Sequence, residues 1–411
     1  MQTLKEINTE RVLFFDHIRY LMVFLVVGLH ASCAYSNHMS HWAVNDANSD
    51  IFDLLLMLLG VFLMPVLFFV AGFFALPSLY TKGVTGFLKV KFIRLGIPLL
   101  LGLLFFGPIH KSIFYYSRQL GSFDLWTRFT DNIYSAIANH TGLISSRLQF
   151  HHHYFWFISL LLFFFIVLAC FYQVKVLVLK GRFSSDDQKL SSGKSMLWTF
   201  FGIIITITLL TFVPGMLFFR DLNPRSWVLL GGVLMFQPAK IVLYIFCFGT
   251  GIYAYSKKWF SSIKISGHFM LWAGICLVLF IFYVVTGKRL SLNGPNGLDI
   301  FLMIFLRNAL VFTILLALIS FSTRFWNKAS KVNNLFSQTS YHTYLLHMVF
   351  VLLLQLVLFK WLPVLSVFAK FWVVTVGAIV LSVLTAWYVT RPYPKLSVAG
   401  IVGGFVLLMT F

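Results

Sequence analysis

The sequence has very little charge. Of its 411 residues only 11% are Asp, Glu, Lys or Arg, and just twelve are acidic. A soluble chain carries about a quarter of its residues as charges to keep its surface in water, so a water-soluble fold is excluded. Cysteine is scarce as well. Cys33, Cys170, Cys247 and Cys276 stand far apart, in or beside apolar runs, which removes a disulfide framework and a cysteine-based metal centre. There is no P-loop, no Gly-rich dinucleotide fingerprint and no His-Glu-x-x-His pair. ATP-driven, nicotinamide and zinc-peptidase chemistry therefore lack a carrier. No internal repeat is visible either, which leaves an inverted-repeat transporter architecture without support.

What fills the chain instead is hydrophobic: 59% of the residues, with 48 Phe among them. A bilayer core of about 30 Å calls for roughly 20 apolar residues per helix. Runs of that kind lie at 12–35, 51–76, 90–109, 154–173, 196–218, 239–256, 266–286, 299–321, 340–360 and 365–389. The expected fold is all-α, a polytopic membrane helix bundle of about ten transmembrane helices. The first run is too long for a cleavable signal and should stay as the first helix. Pro65, Pro98 and Pro214 fall inside or near helix ends and are expected to kink them. Residues 1–395 read as one membrane domain; 396–411 read as a short apolar segment, interfacial or partly inserted.

The net charge of +20 would suggest nucleic acid in a soluble protein. Here the basic residues sit in short stretches between apolar runs, which is a topology signal, and no nucleic-acid partner is expected. Alternate connections carry nineteen against eleven Lys and Arg, with Arg19 and Arg307 left inside helices. The richer set, which includes both chain ends, should be cytoplasmic. The long 110–153 connection then faces outward. It holds His110, His140, His151, His152 and His153, read as an outward polar surface in preference to a metal site, since no carboxylate or cysteine partner stands at a fixed spacing.

Ionisable groups inside membrane helices are expensive, about 2.5–3.5 kcal/mol or more at the centre. The first helix has three: Asp16, Arg19 and His30. Eleven residues at ~100° each return to within ~20° of the start, so Arg19 and His30 share a face, about 16 Å apart along the axis. Asp16 can pair with Arg19 at i,i+3. Separately, Arg19 could snorkel to the interface and His30 could bond a neighbouring helix; together, on one face with an acid, they read as a functional track. Arg307 has two open readings, a structural pair with Asp53 or Asp299 and a substrate role. Asp53 reads as an interface residue, and Trp156 as a belt anchor or pocket wall, with stacking on a sugar ring as its other reading.

The pattern resembles the integral-membrane acyltransferase-3 family, which decorates bacterial envelope glycans and related molecules with acyl groups. Its opening motif, Asp, then Arg, then ten residues to His, matches Asp16, Arg19 and His30. Phe68-Phe69-Val70-Ala71-Gly72-Phe73 matches its second-helix pattern. Lys89, Lys91, Arg94 and Pro98 match its basic stretch ending in Arg-x-x-x-Pro. His153 to Phe157 match the end of its outer loop, and Ser340-Tyr341-His342-Thr343-Tyr344-Leu345-Leu346-His347 its Ser-Tyr-x-x-Tyr-x-x-His. Two positions depart: Ala71 stands where the family often has Ser, and Lys91 where it often has a second Arg, which loses a bidentate fork.

The resemblance implies O-acyl transfer, acetyl or succinyl, from a cytoplasmic acyl-CoA to an envelope glycan or glycolipid at the outer face of the inner membrane. No permanently bound cofactor is expected; acyl-CoA is the donor substrate. His30 would be a general base or a transient acyl carrier. Arg19 would hold the donor or an oxyanion, and Lys91 and Arg94 would meet coenzyme A phosphates. His347, read as lying about two turns into its helix, would take part in catalysis or donor contact, or else bond within the core. The competing class is a transporter or permease in which Arg19, His30 and Arg307 line a proton or anion path.

Overall fold

A computed structural model describes residues 13–138, 144–145, 153–178, 193–218, 227–230, 234–260, 269–294 and 296–409. Among these residues, ten helices are long and apolar enough to cross a membrane, and the protein is a polytopic helix bundle. The helices are α1 (Leu13–Ser32), α2 (Asp50–Phe73), α3 (Ala75–Lys91), α4 (Ile97–Leu101), α5 (Gly107–Ser117), α6 (Leu125–Ala138) and α7 (Trp156–Val178). There follow α8 (Gly193–Phe218), α9 (Pro238–Ser256), α10 (Phe269–Asn293), α11 (Gly297–Phe325), α12 (Lys331–Trp361), α13 (Val367–Thr385) and α14 (Pro394–Leu408). A lipid solvent rewards helices that are apolar all round. The outlying α10 follows that rule, with Met270, Leu271, Leu277, Ile281 and Phe282 all exposed.

The third crossing is a rod rather than the single helix expected at 90–109. Gly83, at φ +65°, breaks α3. Beyond it α3, α4 and α5 join through π-helical turns at Phe92–Gly96 and Gly102–Phe106. Each π turn lies just ahead of a proline, Pro98 or Pro108, whose ring cannot donate to the carbonyl four residues back.

The centre of the bundle is α1, whose Phe15, Ile18, Met22, Val26 and Val27 are fully buried. It runs parallel to α12: His17 bonds the Trp326 carbonyl, Tyr20 donates to Asn333, and further along Gln355 donates to the Ala31 carbonyl. The first and ninth crossings of an alternating chain must be parallel, so this pairing fits ten spans. Beside them α2 and α9 pack backbone to backbone. A methyl on Gly72 would sit 2.1 Å from the Phe248 carbonyl oxygen, and one on Gly251 would sit 2.1 Å from that of Phe69. Membrane helices associate through such small-residue contacts because lipid offers no hydrophobic drive.

Several local expectations change. The helix expected at 340–360 begins at Lys331, so His347 lies more than four turns in, at mid-helix, not two. Arg307 pairs with neither Asp53 nor Asp299: it donates to the Ala239 carbonyl of α9 at 2.9 Å, while Asp53 binds Ser36 and Asn37 and Asp299 binds Arg289. A three-stranded antiparallel sheet of β1 (Ile144–Ser145), β2 (Val228–Leu230) and β3 (Leu234–Phe236) joins two connections on one side of the bundle. Helix α14, about 22 Å long, buries Phe405 between Phe105 and Phe129. His140, His151 and His152 fall outside the described residues. Among the described ones, no group of three metal-type ligands gathers.

Candidate functional site

The site lies along the seam between α1 and α12. At one end Arg19 pairs with Asp16 at 3.0 Å and reaches across to α12, donating to the Ser337 carbonyl at 3.2 Å and to Ser340 Oγ at 3.3 Å. The guanidinium is thus held by one charge and two dipoles, yet about a third of the side chain remains exposed. About three turns further on, His30 Nδ1 meets His347 Nε2 at 3.1 Å.

Hydrogen-bond logic fixes the tautomers of this pair. His347 Nδ1 lies 2.6 Å from the Tyr344 carbonyl oxygen, which can only accept, so Nδ1 carries the hydrogen. The Nε2 of neutral His347 is then an acceptor, and His30 Nδ1 must donate to it. That leaves His30 Nε2 with a free lone pair. His347 is wholly buried, whereas His30 keeps part of its surface exposed. The arrangement is a base backed by a second imidazole, which in turn is backed by a carbonyl.

Aromatic and amide groups hold the pair in place. Trp42, from the connection between α1 and α2, stacks on His30 with ring centres 5.7 Å apart and donates to Gln355 Oε1 at 2.9 Å. Gln355 in turn donates to the His30 and Ala31 carbonyls. Tyr154, just before α7, packs edge-on against His347 and donates to the Leu345 carbonyl at 2.9 Å. Tyr344 returns a bond to the Tyr154 carbonyl at 3.0 Å. The connection carrying Trp42 is strapped down twice. Arg118 donates to three of its carbonyls, at Ser40, Trp42 and Ala43, and buried Lys370 pairs with Asp46 at 2.7 Å.

The third crossing approaches the seam beside Arg19. Pro98 has no N–H, so the Arg94 carbonyl four residues back loses its α-helical partner. The Tyr341 hydroxyl donates to that carbonyl. The two motifs, Arg-x-x-x-Pro and Ser-Tyr-x-x-Tyr-x-x-His, thus meet as donor and acceptor. The Arg94 side chain stays exposed, and Arg94 and Arg391 both act through space on His342. Lys91 differs: its ammonium lies 3.9 Å from the centre of the Phe165 ring and 5.1 Å from that of Phe87.

The acyltransferase-3 family, described as an acyltransferase domain, matches residues 12–391. The chain belongs to that family. No curated protein and no solved structure matches it. The family match covers every element of the seam, from Asp16 to His347, and the third crossing that flanks it.

Of the residues singled out in the sequence, this acyltransferase brings four onto one seam: Asp16, Arg19, His30 and His347. Arg94 adjoins them through Tyr341, and Lys91 is turned toward α7. Sequence reasoning missed Trp42, Tyr154 and Gln355. Gln355 could have been found, because it is a lone amide in the run Val349 to Phe359 and must have a partner there. Trp42 carried no signal, since only the folded connection lays it on His30.

Proposed function

We propose that this acyltransferase moves an acyl group, acetyl or succinyl, from a cytoplasmic acyl-CoA to a hydroxyl of an envelope glycan or glycolipid at the outer face of the inner membrane. The observation that carries the proposal is the His30–His347 pair, because its tautomers leave a free lone pair on His30 Nε2. In this reading Nε2 takes the proton of the acceptor hydroxyl as that oxygen attacks the thioester carbonyl. The carbon–sulfur bond then breaks, the coenzyme A thiolate leaves, and the proton on His30 passes to it. His347 stabilises the transient imidazolium by accepting from Nδ1–H.

The donor approaches from the end where Arg19, Arg94 and Arg391 gather, with the pantetheine arm reaching about 16 Å along the seam to His30. Arg94 is the better placed of the two proposed phosphate contacts, because Lys91 must first leave the Phe165 ring. The excess of Lys and Arg at this end supports a cytoplasmic assignment for it. A transport path through Arg19, His30 and Arg307 has less support, since Arg307 points from α11 to α9 and not into the α1–α12 seam.

The test is thiol release from acetyl-CoA by full-length protein in nanodiscs. His30→Ala should lower the rate about 10²–10⁴-fold while acetyl-CoA still binds. A wild-type rate in that variant would reduce the histidine to a packing residue.

A further inference from the structure

Arg307 is a buried cation that the acyl-transfer site does not use. It is 8% exposed, about a third of the way along α11, and among the described residues its Nε–H has no acceptor. Among the described residues its hydrogen bonds go to neutral groups, the Ala239 carbonyl at 2.9 Å and Asn308 Oδ1 at 3.4 Å. Asn308 is itself tied to Thr208 on α8. No carboxylate among the described residues pairs with Arg307; the ion-paired ones hold Arg19, Arg128, Arg289 and Lys370. A guanidinium has five donors in a planar fork suited to carboxylate or phosphate. An uncompensated one at membrane depth is costly, and such residues mark ligand paths.

Its surroundings point the same way. Tyr244 and Tyr283 lie within electrostatic reach of the guanidinium. Tyr244 packs on Trp156 with ring centres 5.6 Å apart, and Trp156 packs on Trp227 at 5.3 Å. Both tryptophans are partly exposed, so each has aromatic surface left for an apolar sugar face. Only two residues before Trp156, Tyr154 touches both His30 and His347. The short segment at the head of α7 therefore has the histidine pair on one side and the Trp156–Tyr244–Arg307 group on the other.

We infer that Arg307, with Trp156 and Trp227, forms an acceptor subsite for an acidic sugar, the guanidinium taking its carboxylate or phosphate while another hydroxyl of the acceptor is presented to His30. The inference rests on the proposed acyl transfer, and it names the acceptor class as anionic glycan. The probes are glucuronic acid and glucose 1-phosphate against neutral glucose, read as the thermal shift of full-length protein in neutral detergent. Wild type should bind the acids roughly tenfold to a hundredfold tighter than glucose, the usual worth of charge-assisted bonds. Arg307→Gln should erase that preference, and Arg307→Lys, which keeps the charge without the fork, should keep part of it.

Equal shifts by acid and neutral sugar in wild type would overturn the inference without any variant. So would an acid preference that survives in Arg307→Gln, or a shift seen only with anionic phospholipid, which would make the site a headgroup contact. Thiol release from acetyl-CoA is followed in parallel. Turnover without acid preference defeats the subsite alone; acid preference without turnover defeats the acyl-transfer reading alone.

Discussion

Replacing His347 by Phe tests the central geometry with little change in volume. The ring is kept, so the buried site is not emptied, but the Nε2 acceptor disappears. His30 Nδ1–H, 3.1 Å away in the native pair, is then a buried donor without a partner, at about 1–3 kcal/mol. The ring can escape that penalty by turning or by moving its hydrogen to Nε2, and either change removes the lone pair from the reacting side. A base in the wrong tautomer forfeits most of its effect, so kcat should fall about 10²–10³-fold. The KM for acetyl-CoA should barely move, because the donor contacts proposed at Arg19 lie about 16 Å away along α1. His347→Gln should recover part of the loss, since its amide oxygen can again accept from His30 Nδ1. Thiol release from acetyl-CoA in nanodiscs, with transfer of a labelled acetyl group as a second readout, separates the two constants. A kcat within threefold of wild type in His347→Phe, or a loss confined to KM, would refute the tautomer argument.

Three other outcomes follow from the structure. Gly72→Ala places a methyl 2.1 Å from the Phe248 carbonyl oxygen, so α2 and α9 must separate, at about 1–3 kcal/mol; Gly60→Ala, which meets nothing within 4 Å among the described residues, is the neutral control in thermal unfolding. Arg94→Ala should weaken acetyl-CoA binding about tenfold to a hundredfold while leaving the Arg94 carbonyl–Tyr341 bond and the fold intact, and an unchanged affinity by titration would move the donor contact elsewhere. A reporter at Asn45 should read as outside and one at Lys328 as inside, whereas the same readout at both would break the proposed orientation.

The bundle was legible because membrane helices declare themselves by length and composition alone. Where a stretch did more than cross the bilayer, hydropathy lost it. Helix α12 begins at Lys331, nine residues before the expected start, because Ser330 caps it by accepting from the Asn333 N–H. Its first turns, with Asn333, Asn334 and Gln338, are too polar to score as a span, yet they supply the Ser337 carbonyl that holds Arg19. The small sheet was invisible for the opposite reason. Its strands are two or three residues long, shorter than any pattern of alternation can reveal.

The site divides in the same manner. Periodicity within one helix was enough to place Arg19 and His30 on a common face, and the face proved to be the one turned to α12. Contacts between helices follow no such period, so nothing in α1 announced that His347 would be its partner. One interhelical contact did have a local cause that can be read in advance. A proline inside a helix strips a carbonyl of its donor, and in a membrane that carbonyl must find another. Pro98 therefore demanded a donor for Arg94 from a neighbouring helix, and a Tyr hydroxyl is among the few groups long enough to deliver one. Tyr341 fills that need while the residue before it, Ser340, accepts from Arg19. The third crossing and the α1–α12 seam are thus joined through two consecutive residues, so a shift of the π turn at Arg94 must be felt at the guanidinium of Arg19.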